Sequence, residues 1–297
     1  MGIKLLNHLL REQCAEAIEK IHMSTLSGKC LAVDTSIYMY KFEGRGKLME
    51  GMFAMFAMFV QYNIDAIWVF DGKPPPEKAH TIKLRKDEKQ ENNQRRKILE
   101  SKIHISDEEK RELNTLTRLC ATISSNKSNA VRQLAESFGM RHYTPDGEAD
   151  QACAALVLQG HAWACISDDT DMFAYSCPRV IRNLHAESHQ AHIYSFGTIL
   201  KTLDMTQNAF KQLCVMSGTD YNADQNASPK DIWNKHKLQQ TRGHAGDALW
   251  GWNTDNEALK KAADMFNANK HIQLPQKNNL SRTNISHIMH THNFIFI

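Results

Sequence analysis

Cys30-Leu31-Ala32-Val33-Asp34 is an apolar run that stops on a carboxylate, and two further runs do the same: Ala66-Ile67-Trp68-Val69-Phe70-Asp71 and Ala164-Cys165-Ile166-Ser167-Asp168-Asp169-Thr170-Asp171. Short runs rich in β-branched and aromatic residues, set between stretches of helical pattern, read as buried parallel strands. The predicted class is therefore α/β, with a central, mainly parallel sheet flanked by helices. Open sheets of this kind place their ligand sites outside the carboxyl ends of the strands, so the terminal aspartates should meet at one edge. Carboxylates gathered there repel one another at neutral pH unless a cation neutralises them. Oxygen-only donors select a hard divalent ion, Mg²⁺ or Mn²⁺.

Outward from these runs, the pattern from Gly2 to about Asp71 is helix, strand, helix, strand. The most apolar stretch, Met52-Phe53-Ala54-Met55-Phe56-Ala57-Met58-Phe59-Val60, falls well short of the roughly 20 residues of a membrane span and reads as a buried helix filled by adaptable methionines. Gly72-Lys73-Pro74-Pro75-Pro76 then interrupts regular structure. From Lys78 to about Ser125 the chain is dense in Lys, Arg, Glu and Gln, with few large apolar residues before Leu113, Leu116 and Leu119. Such charge runs are ordinarily solvated helical hairpins. Position favours a mobile basic arch instead, because the segment begins just after the strand that delivers Asp71.

A second α/β half begins near Val131 and passes through Met140-Arg141-His142-Tyr143 to the turn Pro145-Asp146-Gly147. A helix from about Glu148 to Gln159 carries Glu148 and Asp150 in its first turn, where the helix dipole favours carboxylates. Residues two apart on a helix do not face each other, so if both serve a metal, one ligates directly and the other through water. The strand ending at Asp171 follows, then strands near Val180–Leu184 and His192–Tyr194, then helices carrying Asp220.

Composition sets wider bounds. A chain of 297 residues with 42% hydrophobic content can bury a sizeable core, and its net charge of +3 permits a polyanionic partner without requiring one. Its 7 cysteines are scattered, with no Cys-x-x-Cys pair, so neither a disulfide framework nor a zinc ribbon is indicated and a reducing, intracellular setting is the simplest reading. The opening Met1-Gly2-Ile3-Lys4 lacks a long apolar core, and Leu6 stands where a myristoylation signal wants Ser or Thr. Both features argue against secretion and lipidation.

From Met1 to about Lys237 the ordered motifs resemble the flap endonuclease family of structure-specific 5′ nucleases, the XPG/Rad2-like group. They are Met1-Gly2-Ile3, Val33-Asp34-Thr35-Ser36 with Tyr40, Val69-Phe70-Asp71-Gly72-Lys73-Pro74-Pro75, Glu148-Ala149-Asp150, Asp169-Thr170-Asp171 and Gly218-Thr219-Asp220-Tyr221. The resemblance implies a PIN-like nuclease core in two parts, 1–77 and 131–220, a helical arch at 78–130, a helical hairpin DNA-binding region at 221–270 and a loosely ordered tail at 271–297. It makes Asp34, Asp71, Glu148, Asp150, Asp169, Asp171 and Asp220 the ligands of two Mg²⁺ ions, with Mn²⁺ as a substitute. Asp150 stands where the family more often has glutamate, and Asp168 reads as a strand-end residue rather than a ligand.

Lys78 and Arg85 match the family's active-site lysine and arginine, and their seven-residue spacing places both on one helical face. Tyr40 matches the position whose ring stacks on a base near the cut, whereas Tyr38 reads as core. The resemblance places the segment beginning at Gly2 close to the active site and the DNA junction. The implied substrate is branched DNA with a 5′ flap or a free 5′ end, read by shape and phosphate contacts. The implied setting is DNA replication, repair or recombination, in the nucleus if the source is a eukaryotic cell, by a monomer with no membrane partner.

Departures from the family pattern lie after Asp220. The expected Gly-x-Gly turn reads Asn226-Ala227-Ser228-Pro229-Lys230, which weakens the expectation of a monovalent ion there and leaves Lys230 as the candidate DNA contact. No sliding-clamp motif occurs from Leu274 to Ile297, and the sequence around His287, His290 and His292 carries no acidic or cysteine residue to frame a metal site. Trp250 and Trp252 read as core cover. Two other functions share the acidic core or the fold: a junction resolvase, exonuclease or RNA-cleaving relative, and a catalytically inactive DNA-binding scaffold. Retention of every acidic position weighs against the scaffold.

Overall fold

The computed structural model describes residues 2–222, 225, 227–241, 249, 252, 256–268 and 271–294. Among these, seven strands form a single sheet in the order β1-β7-β6-β5-β2-β3-β4. They are β1 (Ile18–His22), β2 (Cys30–Asp34), β3 (Asp65–Val69), β4 (Arg141–Tyr143), β5 (Ala164–Ile166), β6 (Arg179–His185) and β7 (Gln190–Ser195). The five strands from β6 across to β4 run parallel, and the antiparallel β7 and β1 complete the far edge. Leu31 to Asp34 are all buried because side chains leave the strand alternately into two separate cores. Ala32, Val69 and Cys165 enter one core, while Leu31, Val33, Trp68 and Ile166 enter the other.

The chain leaves β2 to build β3 on one side of it and later returns to build β5 on the other. Strand order reverses at β2, and Asp34 is its last residue, which puts this carboxylate at the switch point where α/β sheets open a ligand crevice.

Helices cover both faces. On the N-terminal side, α1 (Leu6–Gln13) and α2 (Thr35–Glu43) precede α3 (Leu48–Gln61). The last is the apolar helix expected around 52–60, and it buries Met52, Met55, Phe56, Met58 and Phe59. A 3-10 turn, Pro76–Lys78, leads into α4 (Ala79–Glu100), which packs on α5 (Asp107–Leu119). This pair occupies the segment expected as an arch, and α4 buries only Leu99 and α5 only Leu116. A capping box between Ser106 and Glu109 starts α5. The remaining helices are α6 (Ser125–Ser137), α7 (Ala149–Leu158), α8 (Asp171–Ala174), α9 (Phe196–Leu203), α10 (Gln207–Met216), α11 (Pro229–Thr241), α12 (Glu257–Met265) and α13 (Arg282–Thr291).

Two expectations need correction. The first half contains an additional edge strand, β1, whose Ile-Glu-Lys-Ile-His sequence is too polar to announce itself. The tail is not loosely ordered where it is described. Arg282–Thr291 is a helix docked on α6, with Met289 fully buried and Ile285 nearly so, because two apolar residues four apart suffice to seat one face. His287, His290 and His292 lie on the exposed side of this segment. Trp252 is half-buried against the core, while Trp250 and Asn226 lie outside the described residues.

Candidate active site

The strand ends and helix starts converge as the sequence pattern requires. A crevice at the carboxyl edge of the sheet is lined by Asp34, Asp71, Glu148, Asp150, Asp169 and Asp220, together with Tyr40, Lys78 and Arg85. Asp171 lies directly behind Asp169, to whose Oδ1 its N–H donates at 3.0 Å. Asp71 accepts from the N–H of Ala149 at 3.0 Å, which couples the end of β3 to the first turn of α7. Asp34 accepts from the Ser167 hydroxyl at 3.2 Å. Asp168 turns away and accepts from the N–H of Asn183 at 2.6 Å, so it serves the β5–β6 edge as expected.

Glu148 and Asp150 sit in different surroundings. Glu148 receives the Lys78 ammonium at 2.8 Å and the Tyr221 hydroxyl at 2.9 Å. Asp150 Oδ1 is buried with no hydrogen-bond partner, and the same is true of Asp171 Oδ1. Lys78 is itself only 6% exposed, lies 4.8 Å from the centre of the Tyr221 ring and reaches Asp220 at 3.4 Å. Burial alone would lower its pKa, but Tyr221, Glu148 and Asp220 outweigh burial and hold it above the usual lysine value. Arg85, seven residues further along and on α4, meets Asp220 at 2.7 Å. Thr81 donates to the backbone carbonyl of Asp220 at 2.8 Å, so the base of the arch is stitched to the last carboxylate of the set.

Electrostatics report a strained assembly. Burial, then the charges of Asp71 and Asp169, push the Asp34 carboxyl up to about 7. Burial and neighbouring aspartates also raise Asp150 and Asp171 well above the usual carboxylate range, and burial raises Asp169. Two orphaned buried carboxylate oxygens beside further carboxylates fit a hard divalent cation by donor chemistry. Among the described residues no three His, Cys, Asp or Glu side chains stand close enough to hold an ion as they are. The fit is therefore one of charge and donor type rather than of a closed cage.

The site makes a pH prediction for the metal-free protein. An acid whose pKa is higher folded than unfolded binds more protons when folded, so its contribution to stability is complete at low pH and is lost as pH rises. For Asp34 that window runs from about 4 to about 7. Added Mg²⁺ should therefore raise the melting temperature more at pH 7.5 than at pH 5 relative to a chelated sample. An equal rise at both would show that these carboxylates are not the ion's ligands.

Of the residues expected at the DNA, Tyr40 is 49% exposed at the mouth of the crevice, whereas Tyr38 is buried. Gly2 has φ +82°, and a Cβ there would stand 2.2 Å from Asp169 Oδ1 and 2.8 Å from the backbone N of Thr170. The N-terminal segment thus lies against the carboxylates. Gly2→Ala is expected to destabilise the fold by about 1–3 kcal/mol through strain at positive φ and displacement of Asp169. An unchanged melting temperature would sink that placement of the N-terminal segment. Lys230 lies on α11 and pairs with Glu12 rather than lining the crevice. Sequence reasoning assigned no role to Tyr221, although it adjoins Asp220; its hydroxyl also meets that of Tyr175 at 3.3 Å.

Residues 1–92 match the XPG N-terminal domain, and residues 139–220 match the XPG I-region. The chain belongs to the XPG/Rad2-like flap endonuclease family. It is 30% identical over 240 residues to flap endonuclease 1 of Vanderwaltozyma polyspora, covering 74% of this chain and 62% of that protein. It is 28% identical over 240 residues to flap endonuclease 1 of Ostreococcus lucimarinus, covering 74% and 60%. The chain thus spans about three-fifths of the length of these curated relatives.

Solved structures share the family fold. Flap endonuclease-1 from Methanococcus jannaschii superposes with a TM-score of 0.67 at 19% identity, over 98% of this chain and 95% of that one. The Rad2 catalytic core gives 0.69 at 18%, over 99% and 95%. Human GEN1 in complex with Holliday junction DNA gives 0.69 at 17%, over 99% and 74%.

Proposed function

We propose that this protein is a structure-specific 5′ nuclease that hydrolyses phosphodiester bonds of branched DNA at the base of 5′ flaps. Associated 5′→3′ exonuclease activity and a role in DNA replication, repair or recombination belong to the same reading. The observation that carries it is the opposition of buried, partly orphaned carboxylates to Lys78 and Arg85 at the base of the arch. Carboxylates alone would suit many metal enzymes. Two cations facing them from a separate element suit a reaction in which negative charge builds on phosphate oxygens.

Asp34, Asp71, Glu148, Asp150, Asp169, Asp171 and Asp220 are the residues that would hold the metal. When bound, two Mg²⁺ ions, or Mn²⁺ in their place, would activate the attacking water and stabilise the leaving oxygen of an in-line displacement, giving 5′-phosphate and 3′-hydroxyl ends. The Lys78 ammonium and Arg85 guanidinium bind the nonbridging oxygens of the scissile phosphate and offset the charge that grows there. Tyr40 offers its exposed ring to a base beside that phosphate, a contact tolerant of sequence. Glu148 and Tyr221 keep Lys78 at the crevice in its charged form.

The test is incision of end-labelled 5′-flap, single-stranded, nicked and four-way-junction DNA in Mg²⁺ or EDTA, with Asp171→Ala as the control for contaminating nuclease. Mg²⁺-dependent cutting at the flap base, absent from the variant, is expected. Selective junction cutting would move the protein to the resolvase branch. Binding without cleavage of any substrate would make it a scaffold.

A further inference from the structure

A second polar cavity adjoins the carboxylate crevice, between α2 and α6. Ser36, Tyr40 and Asp71 line both cavities, and Ser124, Ser128 and Arg132 close the far side of the second. Arg132 lies on α6 with its guanidinium stacked over the Phe70 ring, 4.4 Å from its centre. One edge is occupied: Nη1 donates to the Ser128 hydroxyl at 2.9 Å and to Asn129 Oδ1 at 3.1 Å.

No carboxylate balances this arginine among the described residues. Arg85, Arg95 and Arg141 each pair with an acid, whereas burial draws Arg132 below the usual arginine value and no neighbouring charge offsets it. A guanidinium taken partly out of water without an anion is unbalanced, and an apolar side chain would cover Phe70 equally well. A planar fork with one edge tied and the other open is the geometry that receives phosphate oxygens. The hydroxyls of Ser124 and Ser128 and the positive end of the 13-residue α6 face the same cavity.

We propose that this cavity holds a non-scissile phosphodiester of the DNA substrate, gripped by Arg132 and the α6 hydroxyls, within a nucleotide or two of the phosphate at the carboxylates. The term non-scissile rests on the nuclease reading; the phosphate site itself does not. Two grips on one backbone, separated by Tyr40 and Asp71, fix which phosphate reaches the carboxylates. Arg132 thereby selects the incision position without touching the reacting atoms.

The experiment measures binding of 5′-flap DNA in EDTA, so it is independent of cleavage. A series of duplexes carries one neutral methylphosphonate at successive positions around the branch. Wild type is expected to lose affinity about five- to tenfold at one or two positions. Arg132→Gln should bind unmodified DNA that much more weakly, ignore the same substitution, and show a salt slope lower by about one. Arg132→Lys should recover part of the loss.

Should Arg132→Gln fail to fold, Ser128→Asp gives the guanidinium a carboxylate partner at the position it already bonds and should erase the same position's contribution. In Mg²⁺, Arg132→Gln should spread incision over neighbouring nucleotides. Identical methylphosphonate profiles and salt slopes in wild type and variant would overturn the proposal. Wild type that binds with the expected profile but cuts nothing would sink the nuclease reading and leave the phosphate site standing.

Discussion

Asp171→Ala is expected to reduce flap cleavage about a thousandfold or more, a loss of at least ~4 kcal/mol of transition-state stabilisation, while flap binding stays level or tightens. Asp171 is buried, and its Oδ1 has no partner. Its burial, with Asp169 and Asp220 nearby, raises the carboxyl well above the usual range. Such a group costs stability unless a cation offsets it. The same substitution should therefore stabilise the fold in chelator by roughly the 1–3 kcal/mol that an unsatisfied buried polar atom costs, read as a higher melting temperature. A variant that loses binding along with cleavage, or that melts earlier in chelator, would make Asp171 a structural residue.

Lys78→Ala should cut kcat about 10² to 10³-fold, the usual loss when one donor to a developing oxyanion is removed, with KM changed far less. It should also destabilise the fold by about 3–5 kcal/mol, because Glu148 and Asp220 are left facing each other without their shared cation. The telling result is the third one. Removing a positive charge makes the crevice more acidic, so Mg²⁺ should bind the variant more tightly even as it turns over more slowly. Weaker Mg²⁺ binding would show that Lys78 acts by holding the carboxylates in place rather than by meeting the phosphate.

The sheet and its acidic edge were legible because a buried parallel strand and a carboxylate at its end leave adjacent marks: an apolar run, then an aspartate. Lys78 and Arg85 were legible through helical spacing and resemblance together, and both reach Asp220. Strand β1 was hidden because an edge strand exposes one face and here carries Glu19, Lys20 and His22 among five residues. Helix α13 was hidden because only Ile285 and Met289 of its length are buried, too sparse a stripe to separate from a polar tail. Tyr221 was hidden for another reason. Its partner Glu148 stands 73 positions away, and no local pattern announces a side chain whose task is to hold another element's acid.

The stitch between the base of the arch and Asp220 makes two events one. Thr81 holds the Asp220 carbonyl and Arg85 its carboxylate, while Lys78, just ahead of α4, bridges Asp220 to Glu148. On the proposed nuclease reading, a strand end that bears on this element would bear on these contacts too, and by reciprocity a filled crevice would tighten the element on the strand by the same free energy. Flap DNA should accordingly tighten the protein's grip on Mg²⁺, and Mg²⁺ its grip on flap DNA, by equal factors. Duplex DNA without a free end should leave that grip unchanged, so the enzyme would check the shape of its substrate before it is armed to cut it.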